Sequence, residues 1–166
     1  MVIAAPHTSN WDFVWMKLMA WALGWHINWL GKHTLFSGPA GPIMRAWGGV
    51  PVDRRSKQDL VSQVVERFNA GEQIALAIPA EGTRSYSKYW RSGFYHIAKG
   101  ANVPIVLSFL DYERRTGGVG PAITATGDVA ADMEKIRAFY LGMAGKYPNL
   151  SGPPYLREEL EDTAEE

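Results

Sequence analysis

In the run Pro6-His7-Thr8-Ser9-Asn10-Trp11-Asp12, a histidine and an aspartate stand five residues apart, directly after the apolar segment VIAAP. An imidazole held by a carboxylate is a general base. The carboxylate fixes one ring nitrogen and stabilises the imidazolium, and the other nitrogen accepts a proton. Spacing decides whether the two can meet. On one continuous helix of roughly 3.6 residues per turn, a five-residue step rotates about 140°, so the side chains would face apart. A turn removes the problem: with Ser9 as N-cap and Asp12 in the first helical turn, His7 lies just outside the helix and can fold back onto the carboxylate. Such a pair activates a hydroxyl without a protein nucleophile. The alternative is that Asp12 only caps the helix and His7 makes ordinary loop hydrogen bonds. His26, His33 and His96 show no metal-ligand spacing with His7, so no metal site is expected.

Two further segments carry candidate chemistry. Ala80-Glu81-Gly82-Thr83-Arg84-Ser85 follows the buried run QIALAIP, and the ends of strands in open α/β sheets are where ligands usually bind. Gly82 permits close backbone approach, Thr83 offers a hydroxyl and Arg84 a planar fork suited to phosphate. A polar surface turn would read the same way. GGVPVDR, Gly48 to Arg54, places Arg54 after two glycines and a short strand as a second phosphate contact. A solvated cluster of Asp53, Arg54 and Arg55 is the competing reading.

The elements that must position these residues alternate along the chain. VIAAP reads as a strand, and TSNWDFVWMKLMAWAL as a helix with Ser9 and Asp12 at capping-box spacing. The glycine and proline cluster SGPAGP interrupts the chain before Gly48 and Gly49 feed a short strand. Ser56 is expected to cap an amphipathic helix carrying Leu60, Val61, Val64, Val65 and Phe68, which Gly71 stops. QIALAIP is a strand, GFYHIAKG a short helix, VPIVLSFL a strand, AITATG a weaker strand and ADMEKIRAFYLGM a helix. YPNLSGPPY is expected to be irregular and largely solvated. The expectation is a single α/β domain with a central, mostly parallel or mixed sheet flanked by helices.

Length and composition fit that expectation. The chain has 166 residues, 46% of them hydrophobic, enough for one core. Its formal charge is zero, but residues 158–166, EELEDTAEE, hold six acids and no base, so residues 1–157 carry 17 basic and 11 acidic groups, a net +6. A moderately cationic body suits a phosphorylated ligand or an acidic membrane surface, and no motif points to nucleic acid. Residues 1–157 are expected to form the domain and 158–166 a disordered acidic tail. Cysteine is absent, which excludes disulfides and a thiol nucleophile. Nothing reads as a secretory signal, so cytoplasmic placement is the default. The apolar stretch Phe13 to Leu30 is broken by Lys17, His26 and Asn28 and should not cross a bilayer. Trp11, Trp15, Trp21, Trp25 and Trp29 either pack the core, line a pocket or form an interfacial surface.

Taken in order, these segments resemble the glycerolipid acyltransferases, the lysophosphatidic acid acyltransferase-like enzymes. His-x4-Asp is matched by His7 and Asp12, the glycine-to-arginine motif by Gly48 to Arg54, Glu-Gly-Thr-Arg by Glu81, Gly82, Thr83 and Arg84, and Val-Pro-Ile by Val103, Pro104 and Ile105. Ala80 stands where the family commonly has proline, and Pro51 where many members have an aromatic residue. The resemblance implies transfer of a fatty acyl group from an acyl thioester, of coenzyme A or acyl carrier protein, to a lysophospholipid or glycerol-phosphate hydroxyl. The foremost acceptor is 1-acyl-sn-glycerol 3-phosphate; glycerol 3-phosphate, a lyso-aminolipid, or a silent lipid-binding role are the alternatives. It implies His7 and Asp12 as catalytic residues, Arg54 and Glu81 to Arg84 as substrate-binding residues, no bound cofactor, and peripheral contact with the membrane.

Overall fold

In a computed structural model the chain is described over residues 1–53, 60–83 and 85–159. Arg54, Arg55, Ser56 and Arg84, together with residues 160–166 of the acidic tail, lie outside the described residues. Among the described residues, six strands form one sheet in the order β3-β2-β4-β1-β5-β6. They are β1 (Val2–Ala5), β2 (Asn28–Lys32), β3 (Gly49–Val52), β4 (Leu76–Pro79), β5 (Ile105–Asp111) and β6 (Thr116–Ile123). The first five run parallel, and β6 pairs antiparallel with β5. The described α-helices that flank them are α1 (Asn10–Ala22), α2 (Gly41–Ala46), α3 (Leu60–Asn69), α4 (Gly93–Gly100) and α5 (Val129–Tyr140). The expected single-domain α/β architecture with a mixed sheet is what the chain adopts.

Strand periodicity sorts the core into two layers. In β1, Val2 and Ala4 join Leu76, Ile105 and Leu107 on one face, packed with Val64 of α3, Phe94 and Ile97 of α4 and Ile136 of α5. Ile3, between them, points the other way with Val106 onto Ala20 and Met16 of α1. A side-chain period of two on a pleated strand produces this division. Because β1, β4 and β5 are covered on both faces, they read as uninterrupted apolar runs rather than alternating ones.

Two differences from the expected elements stand out. The apolar stretch through Leu30 contains β2, a separate parallel strand, which five residues without alternation did not distinguish from the preceding helix. The weak strand begins six residues early: β6 takes in the glycine-rich TGGVGPAI as the second arm of a hairpin, stabilised by backbone pairing that glycines permit but do not advertise. The segment YPNLSGPPY is mostly exposed, as expected, although its Gly152 is buried and Ser151 half-buried; Leu156 beyond it is fully buried and forms an isolated parallel bridge with Trp90. Glu158 and Glu159, at the start of the acidic tail, contact His96 and Arg137 respectively.

Candidate active site

The carboxyl ends of β1, β4 and β5 lie side by side and each delivers a residue to one place. His7 follows β1, Glu81 follows β4 and Tyr112 follows β5. The centre of the sheet's carboxyl edge is where open α/β folds present ligand-binding groups.

The turn between β1 and α1 closes as its residues require. Ser9 adopts an extended N-cap conformation, its hydroxyl accepts from the Trp11 N–H, and Asp12 at N3 returns to the cap backbone. Asp12 Oδ2 accepts hydrogen bonds from the backbone N–H groups of Thr8 and Ser9, each 2.8 Å. That curl brings His7 Nδ1 to 3.3 Å from the same oxygen. The other carboxylate oxygen, Oδ1, accepts from the Tyr112 hydroxyl at 2.7 Å. Burial pushes the Asp12 carboxyl up, but the hydrogen bonds from His7, Tyr112, Ser9 and Thr8 together outweigh it and hold the group below its ordinary range. Burial and the bond to Asp12 push the Tyr112 phenol up, so it stays a donor. His7 therefore has Nδ1 facing a fixed anion, and Nε2 is the nitrogen left for a reacting group.

Other histidines also stand near carboxylates: His33 with Asp53 at 3.8 Å and His96 with Glu158 at 3.1 Å. Both are surface pairs with well-exposed side chains, whereas the Asp12 side chain is 8% exposed. Exposed pairs are screened by water and hold little fixed geometry. Among the described residues, no group of three or more His, Cys, Asp or Glu is placed to hold a metal ion.

Glu81 is buried, at 1% exposure. Its Oε2 accepts the His7 backbone N–H at 2.7 Å, and its Oε1 faces the Gly152 N–H and the Ser151 hydroxyl, each at 3.4 Å. Burial raises its pKa more than these donors lower it. Among the described residues its contacts are thus with the protein's own loops, joining the histidine turn to the proline-rich segment. Gly82 and Thr83 turn outward and are exposed. Gly82 sits at φ +67°, a left-handed conformation, and an added Cβ would stand 2.6 Å from Arg91 Cγ, so glycine is required twice over. The Thr83 hydroxyl accepts from the Ser85 N–H at 3.2 Å. Arg54 and Arg84 lie outside the described residues.

Beside the dyad is a cavity of about 360 Å³. Thr8, Asp12 and Tyr112 form its polar end, and Trp90, Phe109, Tyr140 and Met143 its apolar wall. The indole Nε1 of Trp90 is buried with no acceptor among the described residues. Sequence reasoning found His7, Asp12 and Glu81 but missed Tyr112 and the cavity wall. The signal for Tyr112 was its place directly after an apolar strand; nothing in the chain says that this strand end adjoins the first.

A histidine held by a buried carboxylate at the carboxyl edge of an open α/β sheet is an arrangement with the chemistry of a general base. Comparison with protein families then gives the family: residues 1–107 match the Acyltransferase family model, and the chain belongs to that family. No characterised protein and no solved structure gives a match.

Proposed function

We propose that the protein transfers a fatty acyl group from an acyl thioester, of coenzyme A or acyl carrier protein, to the hydroxyl of a lysophospholipid or glycerol-phosphate acceptor, with 1-acyl-sn-glycerol 3-phosphate foremost. The supporting observation is the 3.3 Å contact between His7 Nδ1 and an Asp12 carboxylate held from both sides, beside a cavity with an apolar wall. In this reading Nε2 of His7 removes the acceptor's proton as the oxygen attacks the thioester carbonyl. Asp12 stabilises the imidazolium, which returns its proton to the departing thiolate. The new ester bond forms as the C–S bond breaks. No acyl-enzyme is needed. The cavity wall accepts apolar chain. Arg54, Gly82, Thr83 and Arg84 are assigned to the acceptor phosphate. Glu81 acts by holding the His7 turn.

A product with a long acyl chain resides in a bilayer, and α1 offers a contact surface. Trp11, Val14, Trp15, Leu18 and Trp21 recur at helical spacing and are all exposed, Trp21 at 83%. They are therefore not core. The one charge within the helix's middle, Lys17, is turned inward to the carbonyls of Ile27 and Trp47 at 3.2 and 2.9 Å. No described helix is long and apolar enough to cross a membrane, so peripheral contact through this stripe is the mode we propose.

The test is thiol release from acyl-coenzyme A with a lysophosphatidate acceptor. His7→Ala should reduce turnover by about 10²- to 10⁴-fold with an unchanged melting temperature; turnover at the wild-type rate in that variant would remove the mechanism.

A further inference from the structure

Lys146 lies beyond the part of the chain that matches the family model. Its Nζ stands 5.3 Å from the centre of the Trp11 ring, 6.0 Å from that of Tyr112 and 5.8 Å from that of Tyr147. Two of these walls belong to the dyad's own surroundings: Trp11 precedes Asp12 in the chain, and the Tyr112 hydroxyl is bonded to Asp12. The backbone carrying Lys146 is tied to the same place on both sides. The Tyr112 N–H donates to the Ala144 carbonyl at 2.9 Å, and the Tyr147 N–H to the Thr8 hydroxyl at 3.4 Å. Between them, Gly145 approaches Thr8 so closely that a Cβ would lie 3.0 Å from Thr8 Oγ1.

Aromatic faces attract an ammonium group but accept no conventional hydrogen bond from it. The ion pairs among the described residues involve other cations, and the nearby Asp12 carboxylate is already taken by His7 and Tyr112. The cage therefore fixes the position of a charge without spending its donors. A lysine so placed is a point-charge partner for an anion, and phosphate is the anion that a compact ammonium with three donors serves well.

We propose that Lys146 is a phosphate-binding residue of the active site, held by the faces of Trp11, Tyr112 and Tyr147, for the phosphate ester of a substrate. The phosphate can be the acceptor's or the donor's; that part of the assignment rests on the acyl-transfer reading, while the anion site does not. Calorimetric titration separates the two sources, using glycerol 3-phosphate for the acceptor, coenzyme A for the donor and glycerol as the uncharged control. Lys146→Met keeps the apolar stem in the cage and removes the charge. It should weaken one of the two phosphorylated ligands about tenfold or more, leave the other and glycerol unchanged, and flatten the salt dependence of the affected ligand. Lys146→Arg should restore most of the affinity. Trp11→Leu with Tyr147→Leu, which leaves the charge but opens the cage, should weaken the same ligand by less.

Wild-type affinity for both phosphorylated ligands in a folded Lys146→Met protein would overturn the proposal, as would absence of binding of either ligand to the wild type. Should Lys146→Met not fold, Lys146→Gln takes its place under the same criteria. Lysine-dependent binding in a protein with no acyl-transfer turnover would retain the anion site and remove the acyl-transfer reading. Turnover that depends on His7 but is indifferent to Lys146→Met would do the reverse.

Discussion

Asp12 accepts more hydrogen bonds than helix capping needs. Two backbone N–H groups and a tyrosine hydroxyl hold its two oxygens in place, so His7 meets a carboxylate whose orientation is already determined. Asp12→Asn keeps the shape but loses the charge and sets an amide against N–H donors. Its turnover is expected to fall about 10²- to 10⁴-fold, measured by thiol release at saturating acceptor. Tyr112→Phe tests a gentler change. Losing the donor on Oδ1 concentrates negative charge on the carboxylate and favours the imidazolium, so the acidic limb of kcat/KM against pH should move to higher pH, with a loss of stability of about 1 kcal/mol. The two buried carboxylates beside His7, Asp12 and Glu81, also have opposite pH signatures. Asp12, depressed in the folded state, contributes stability at neutral pH that is lost as the pH falls below its ordinary 3.8. Glu81 is raised in the folded state, so the folded chain holds that proton more tightly and stability declines as the pH rises above its ordinary 4.5. Urea unfolding across roughly pH 4 to 7 should show that decline in the wild type and lack Glu81's share of it in Glu81→Gln.

At the scale of elements, the two motif loops depend on different backbone devices. The Ser9 cap starts α1 and simultaneously shapes the turn that brings His7 back to Asp12. Ser9→Ala should therefore lower stability by about 1 kcal/mol and lower activity as well, a pairing that thermal unfolding and turnover together would reveal. The second loop departs from β4 through Ala80. Here the Ala80 N–H donates to the Ala5 carbonyl at 3.1 Å and its own carbonyl accepts from the Arg91 N–H at 2.8 Å. The first of those bonds extends the β1–β4 pairing to the edge of the site, and a proline at position 80 would forfeit it. Pro51 is tolerated for a related reason: β3 is an edge strand, where a missing N–H need not break a ladder.

For the molecule as a whole, the distribution of tryptophan matters most. Trp90 is buried against the cavity, while Trp11, Trp15 and Trp21 face outward along α1. The helix contributes only Ala20 and Met16 to the smaller core cluster, so its inner face is slight and its outer face apolar. This stripe begins at the dyad, which places the site next to the surface proposed to meet lipid. Trp15→Ser with Trp21→Ser should reduce co-sedimentation with anionic phospholipid vesicles while changing stability by no more than about 0.5 kcal/mol, since both residues are solvated in the folded protein. Equal co-sedimentation of variant and wild type would remove the contact surface.

The alternation of buried strands and helices, the capping-box turn and the His7 and Asp12 pairing were legible along the chain, because each depends on residues within a few positions of one another. β2 was not, since a short apolar strand after an apolar helix carries no period of its own. Nor could local pattern reveal that Glu81 turns inward to hold His7 while Gly82 and Thr83 turn out, that Tyr112 reaches Asp12 across 100 residues, or that the proline-rich segment closes the cavity. These contacts exist only because parallel pairing sets β1 between β4 and β5. Sequence determined the chemistry on offer, and the order of strands decided which groups meet.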